Sequence, residues 1–476
     1  MNRIHARHLV LLAATVACGG APSSATSTPT ASSEPAPAST ESWGREEPTE
    51  PQSKPAPCFA RCAELIQKAD DLFRQAGTEK DASRRPHAHA KAGEAYVGAW
   101  RGCSLETPGG EDLTCEGAPR VVPRMLEAFR ESDRPHRLIF ATLVARDRRW
   151  RTESVPSDED LTEATLRAES AHANKPDAPD ARDVIRMASY ARVALGQTSP
   201  ATKDMSLFAQ GASKAEKEEH TAMRIALANK LNDAADHATA QRILGTTPPD
   251  PSSRLLPVWH AEIGRASAGQ KRDAAASQSF RKVLDAWQAI PPADLRQRLG
   301  SADPWPMVDR ERMVEAVGAA HFFFAEQARA KADGMPFPKY KGPGTVTGVT
   351  DFVNTSIGPY VRDRQARLLE ADDAYRKVSE VRPVAPARWV VAAASQVGKM
   401  WASFARDVAD SPAPAAVAKD ADVQEGYRRT LRESMVPVVD KARRAFVVCK
   451  DAADRSRVDD DFSRACSRWL AENPER

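Results

Sequence analysis

The chain has 476 residues, of which 41% are hydrophobic, and a formal net charge of +3. A charge this close to zero provides no global field for holding nucleic acid, so nucleic acid is not expected as a partner. The ten histidines include no His-Glu-x-x-His metal motif, and no complete phosphate-binding glycine loop precedes a helix. We therefore expect no enzymatic activity, no cofactor and no metal site. An enzyme whose residues converge only in the fold is the alternative.

The first element is a short hydrophobic segment that ends in a cysteine. Arg3 and Arg7 precede the apolar residues 9–17, which are too few for a transmembrane helix of about 20 residues and suit the core of a signal peptide. The segment runs directly into Cys18, and this border resembles the lipobox of bacterial lipoproteins. The resemblance implies that residues 1–17 are a signal peptide and that Cys18 is lipidated. An ordinary secreted protein with an incidental cysteine is the alternative.

Residues 18–57 are rich in Ser, Thr, Pro and Ala and contain one large hydrophobic side chain, Trp43. Such a segment cannot bury enough apolar area to offset the entropy of ordering, so we expect a disordered tether. Gly19 follows the cysteine, which by analogy with lipoprotein sorting in Gram-negative bacteria favours the outer membrane. The predicted location is therefore the bacterial cell envelope, with the lipid as the only membrane contact and the folded part facing the periplasm.

Six cysteines follow the tether, and an exported chain meets an oxidising compartment in which disulfides are the default expectation. The disulfide candidates are Cys58, Cys62, Cys103, Cys115, Cys449 and Cys466. The first four do not form the two close pairs that a zinc site prefers, and their pairing stays open. Cys449 and Cys466 flank a short polar segment that can turn one helix back on another, so we predict a disulfide between them.

From residue 58 onward the repeated signal is a helical period of apolar side chains, and strand-like alternation is scarce. The clearest helical stretches are residues 161–172, 223–238, 309–331, 361–381 and 389–408. Breaks that contain Pro or Gly separate them. We therefore predict an all-α fold with an N-terminal helical-repeat region at 58–300 and a C-terminal helical region at 301–476.

One stretch resembles a tetratricopeptide repeat. Ile263 and Gly264 stand where that repeat has its Leu-Gly pair, Ala276 follows Gly264 by twelve residues, and Phe280 comes four residues later. The small residues let two helices approach, and the phenylalanine packs between them. Fragments similar to the second helix of the repeat recur at residues 89–100, 368–383 and 441–449. The resemblance implies a tetratricopeptide-like α-solenoid, and a generic helical bundle is the alternative.

Three C-terminal stretches carry a more specific resemblance: HFFFAEQARAKADGMPFPKYKG, PVAPARWVVAAASQVGKMW and CKDAADRSRVDDDFSRACSRWL. They are similar to the ends of tetratricopeptide-containing envelope lipoproteins of myxobacteria and their relatives, a family in which at least one member is required for gliding motility. The likeness covers roughly residues 305–470. It implies a helical-repeat envelope protein that works through contacts with other proteins, and it carries no catalytic residues.

An irregular segment rich in Gly and Pro separates two of the predicted helices. It presents Phe337, Tyr340 and Phe352 beside Lys339 and Lys341. Aromatic side chains on an exposed loop are typical anchors of protein contacts, so these three are candidates for partner binding. Burial against the chain's own helices is the alternative. The expected function is a scaffold for envelope proteins, in a motility or envelope-assembly complex. The alternative is a structural lipoprotein that links the membrane to peptidoglycan.

Overall fold

The computed structural model describes residues 60–106, 120–146, 155–175, 177–291, 310–342, 345–382, 384–413, 418, 421–456 and 458–474. Within these ranges every regular element is a helix, which confirms the predicted all-α class. The predicted signal peptide, Cys18 and the tether lie outside the described residues. No helix in the described part of the chain is long and apolar enough to cross a membrane. The described residues divide into two compact units, one of 60–320 with 382–384 and the other of 321–381 with 385–474.

The first unit is a succession of helices joined by short connections. They are α1 (Ala60–Thr78), α2 (Arg85–Glu106), α3 (Val121–Arg130), α4 (Pro135–Ala145), α5 (Asp158–Asn174), α6 (Ala181–Ala194), α7 (Thr198–Ala209), α8 (Lys214–Asp233), α9 (His237–Leu244), α10 (Leu255–Gly269) and α11 (Asp273–Gln288). Helix α12 (Arg310–Asp333) contains the division between the units. Consecutive helices from α1 to α11 pack together, and in addition α4 contacts α6, α6 contacts α8, and α8 contacts α10. We call α4, α6, α8 and α10 the even-helix row.

Three turns of this unit share one backbone geometry. The turn residues follow α6, α8 and α10 and have φ angles of 68°, 60° and 58°, at Gly196, Ala235 and Lys271. In each turn the residue after the turn residue donates a hydrogen bond from its N–H to the carbonyl five residues earlier. The donors are Gln197, Asp236 and Arg272, and the distances are 2.9, 2.8 and 2.9 Å. This is the Schellman closure of a helix C-terminus. It recurs at thirty-nine and then thirty-six residues, from 196 to 235 and from 235 to 271.

The second of these turns, at Ala235, shows that one predicted helix boundary was wrong. Helix α8 ends at Asp233, so the prediction of a continuous helix over 223–238 is wrong at its C-terminal end. Ala235 turns the chain through a left-handed conformation, and the side chain of Asp236 accepts a hydrogen bond from the N–H of Thr239 at 3.2 Å. That bond caps a new helix, α9, so the apolar period continues across a break in the backbone.

Residues at equal offsets from the three turn residues share size and burial. A small residue lies seven positions before each turn: Ser189, Ala228 and Gly264. A buried alanine lies five positions after it, and a large buried side chain lies nine positions after it: Ala201, Ala240 and Ala276, then Met205, Leu244 and Phe280. A Cβ atom on Gly264 would lie 3.0 Å from the ring of Phe280, which confirms the predicted close approach of these two helices.

The second unit is organised around one central helix. Its elements after α12 are α13 (Val346–Phe352), a π-helical turn (Val353–Ile357), α14 (Gly358–Ser379), α15 (Ala387–Ala409), α16 (Ala421–Ser456) and α17 (Asp461–Glu472). Helix α15 contacts α14, α16 and α17. Met400 and Phe404 are buried, whereas Lys399 and Arg406 are exposed, which confirms the amphipathic helix predicted at 389–408. A Cβ on Gly398 would lie 2.8 Å from the ring of Phe446, so this glycine lets α15 and α16 approach.

A disulfide closes the C-terminal end of this unit. Cys449 in α16 and Cys466 in α17 are bonded, with their Cα atoms 6.3 Å apart, and both are fully buried. The connection between the helices ends at Asp460, whose carboxylate accepts hydrogen bonds from the N–H groups of Phe462 and Ser463 at 2.9 and 3.0 Å. The predicted pairing of Cys449 with Cys466 is therefore confirmed.

Candidate functional site

The three aromatic side chains predicted to bind a partner are half-buried in the second unit. The ring of Phe337 lies 5.0 Å from that of Tyr360, with an edge-on geometry, and packs against the core. Tyr340 and Phe352 form a second ring pair, also at 5.0 Å. Each ring is thus packed partly on its own unit, and the role of these residues as contact anchors stays a prediction.

The remaining predicted site residues are cysteines. Cys62 is disulfide-bonded. Cys18, Cys58 and Cys115 lie outside the described residues, and so does the side chain of Cys103. Among the described residues, no group of three or more His, Cys, Asp or Glu side chains is placed to hold a metal ion.

Two buried polar clusters that the sequence patterns did not indicate, together called the polar network, lie between helices α6, α8 and α10 of the even-helix row. Its first centre is Glu219 of α8, which is only 3% exposed. Tyr190 of α6 donates a hydrogen bond from its hydroxyl to Glu219 Oε1 at 2.9 Å, and Arg186 Nε lies 3.8 Å from the same oxygen. Burial raises the pKa of Glu219, while Arg186 and Tyr190 oppose that shift.

The second centre is Glu262 of α10, which is 5% exposed. Asn229 and Asn232 of α8 donate to its two carboxylate oxygens, each at 2.8 Å. Arg265 donates to Glu262 Oε2 at 3.1 Å and to Asp233 Oδ1 at 2.6 Å. Burial opposes the charge of Arg265, but Glu262 and Asp233 outweigh it and raise the pKa of the guanidinium. A buried carboxylate on one helix of the row is thus held by donors from the helix before it.

A histidine links this network to the turns. His237 Nδ1 lies 3.1 Å from Asn232 Oδ1. The His237 ring occupies the space that a Cβ on Gly269 would need, so a larger residue at position 269 would require the ring to move. Gln270 donates from its side chain to the His237 carbonyl at 3.2 Å. The network therefore fixes the spacing of successive turns as well as that of the helices.

The network has a buried half and an accessible half. Glu219 and Glu262 are buried and held by neighbouring donors, so they are better suited to ordering the helices than to exchanging protons. The side chains of Asp183, Arg186 and Asp233 are 49%, 30% and 38% exposed, respectively. These three accessible side chains carry charges of both signs.

One signal in the sequence marks this row once the turns are known. Six positions before each turn residue stands a side chain that carries a hydrogen-bonding group: Tyr190, Asn229 and Arg265. All three take part in the network. An alignment of the three stretches on their turns would have shown this, but the turns themselves carry no common residue type.

Comparison with known proteins adds no family. No protein-family model matches the chain, and no curated protein matches it. Function is therefore inferred from the geometry of the chain itself.

Proposed function

We propose that this chain is a non-enzymatic scaffold of the bacterial envelope, in which a tetratricopeptide-like α-solenoid binds other proteins. The observation that carries this proposal is the threefold recurrence of one turn with the same small, alanine and large residues at fixed offsets. Helix pairs that repeat in this way stack on their neighbours and create an extended surface. Such a surface suits helices or extended segments of partner proteins.

The contact surface of this proposal is the accessible half of the polar network. Buried carboxylates hold adjacent helices of the even-helix row at fixed spacing, so the exposed groups of Asp183, Arg186 and Asp233 keep fixed positions. Preorganised polar groups lose little conformational entropy when a partner binds, and binding is stronger for that reason.

The cellular location of the chain is part of the same proposal. Lipidation of Cys18 would hold the chain at the outer membrane, and residues 18–57 would let the folded part reach partners from that anchor. The resemblance of the C-terminal third to myxobacterial envelope lipoproteins points to a motility or envelope-assembly complex. A structural link between membrane and peptidoglycan is the second candidate, because the same anchor and tether would serve it.

Site-specific photocrosslinking in cells tests the scaffold. A benzophenone amino acid is placed at Asp183 or Asp233 in the full chain, and at Leu166 or Leu207 as controls, which are 59% and 41% exposed on α5 and α7. We expect discrete protein adducts from the first pair and none from the controls. Equal adducts from all four positions would contradict the assignment of the surface. No adducts, together with sedimentation of the chain with purified peptidoglycan, would favour the structural lipoprotein.

A further inference from the structure

The first two helices contain a bonded cysteine whose partner is open from the sequence. Cys62 lies in the first turn of α1, is disulfide-bonded and is 1% exposed. The cysteines near it in the chain are Cys58, Cys103 and Cys115. The packing of α1 on α2 distinguishes between these three partners.

The side of α1 that contains Cys62 faces α2. Buried residues recur along it at helical spacing: Cys62, Ile66, Ala69 and Ala76. Phe73 lies on the same side, and its ring is 5.7 Å from that of His89 and 6.1 Å from that of Tyr96, both in α2. Side chains three and four positions apart share one face of a helix, so Cys62 lies on the face of α1 that α2 covers.

Three contacts give the antiparallel register of the two helices: Phe73 with His89, Asp70 with Tyr96, and Leu65 with Gly102. The second is a hydrogen bond of 2.7 Å from the tyrosine hydroxyl to the aspartate. In the third, a Cβ on the glycine would overlap the leucine side chain. Each contact nearer to the start of α1 lies nearer to the end of α2. One more turn toward the start of α1 brings Cys62 opposite the residues that follow Gly102, and the first of these is Cys103.

Position 103 also falls on the face of α2 that contacts α1. Buried residues recur on that face: His89, Ala92, Tyr96 and Ala99. Cys103 follows Ala99 by four residues and so continues the series. A disulfide requires Cα atoms about 4.4 to 6.8 Å apart, so the two helices must approach closely. Ala69, Ala99 and Gly102 permit this, because they have little or no side chain to separate the two backbones.

We propose that Cys62 is bonded to Cys103, so that a covalent bridge joins the start of α1 to the end of α2. Helix α1 begins at Ala60, and the predicted tether ends at residue 57. The bridge therefore lies where the predicted tether enters the first unit. It keeps α1 on α2 at that end, where the ordered part of a chain otherwise frays most readily. This proposal does not depend on the scaffold function.

Peptide mapping without reduction tests the pairing. The full chain is purified after export to the periplasm, its free thiols are alkylated at acidic pH to stop disulfide exchange, and it is digested with trypsin and then Asp-N. These enzymes place the four N-terminal cysteines on separate peptides: 46–61, 62–68, 102–111 and 112–120. We expect peptide 62–68 to be linked to peptide 102–111. The bonded pair Cys449 and Cys466 is the internal control and should be recovered as linked peptides.

The mapping has outcomes that would overturn the proposal. A link from peptide 62–68 to the peptide of Cys58 or to that of Cys115 would do so, and so would an alkylated Cys62. The mapping uses the unaltered cysteines of the first unit, so it decides the pairing even where a variant fails to fold.

Limited proteolysis tests what the bridge does. Thermolysin cuts before Ile66, which is 2% exposed, so cleavage there requires α1 to open. Cys62→Ser with Cys103→Ser should increase the rate of this cut by at least about tenfold, because the cross-link no longer restricts the opened chain. Cys449→Ser with Cys466→Ser, in the second unit, is the matched control and should leave the rate unchanged. Equal rates for the parent and both double variants would overturn the proposed role of the bridge.

Discussion

Gly264→Ala is the most direct test of the repeated packing in the first unit. The new Cβ would lie 3.0 Å from three atoms of the Phe280 ring, closer than ordinary van der Waals contact. Phe280 is 2% exposed, so its ring is enclosed and the two helices must separate or the ring must turn. Overpacking of this kind costs about 1 to 3 kcal/mol.

A second effect acts in the opposite direction. Replacing glycine by alanine inside a helix stabilises the helix by about 1 kcal/mol, because the unfolded chain loses conformational freedom. The net result expected for Gly264→Ala is a loss of about 1 kcal/mol in the free energy of unfolding. For a unit of this size that corresponds to a melting temperature lower by about 3 °C.

Gly98→Ala is the matched control. Gly98 lies inside α2, and a Cβ there would have no atom within 4 Å, so only the helix-propensity gain applies. The two glycine variants should therefore differ by about 2 kcal/mol in chemical denaturation, with opposite signs relative to the parent. In a Phe280→Leu background the penalty of Gly264→Ala should shrink, because the smaller side chain leaves room for the methyl group.

The reasoning would be refuted by a Gly264→Ala variant that gains stability as Gly98→Ala does. It would also be refuted by a penalty of the same size in the Phe280→Leu background, because the cost would then not arise from the ring. Either result would remove the packing basis of the repeat.

Four other changes have definite expected outcomes. Cys18→Ser should abolish labelling with fatty acid and release the chain from membranes, and a variant that still labels and sediments would disprove lipidation. Phe404→Ala, at a side chain 1% exposed, should cost about 3 to 5 kcal/mol and make the second unit more sensitive to limited proteolysis. Burial, reinforced by the charge of a nearby lysine, lowers the pKa of His260 to about 4, below about 6.5 in the unfolded chain. The contribution of His260 to stability should therefore be constant above pH 6.5 and fall by up to about 3 kcal/mol as the pH decreases toward 4, and His260→Gln should remove that part of the profile in pH-dependent melting. Peptide mapping without reduction should find Cys449 linked to Cys466, and replacing both by serine should lower the free energy of unfolding by up to about 3 kcal/mol.

Helices whose burial follows from their own residues were predictable from the sequence. In α15 the apolar side chains recur with the helical period. The face that contains Met400 and Phe404 must therefore be buried, whichever helices pack against it. The close approach at Gly264 and Phe280 and the pairing of Cys449 with Cys466 were predictable for a related reason. In both cases the two residues are near in the chain, so one connection between consecutive helices is enough to bring them together.

The end of α8 was not predictable in this way. Ala235 adopts a positive φ although alanine favours the right-handed helix, and no glycine or proline marks the turn. Packing of α9 and α10 against α8 imposes the break, since a continuous helix could not fold back on its neighbours. Local propensity favoured the helix, and tertiary packing overrode it.

The chain's own residues thus determine its helical class, the faces its helices bury and the cysteine pair that closes its end, because each depends on spacing within one or two turns. Only the tertiary structure decides the polar network. Glu262 meets Asn229 across thirty-three positions of the chain. Polar side chains have no period that identifies their partners, since a buried carboxylate accepts any donor that the packing of apolar faces brings within about 3 Å.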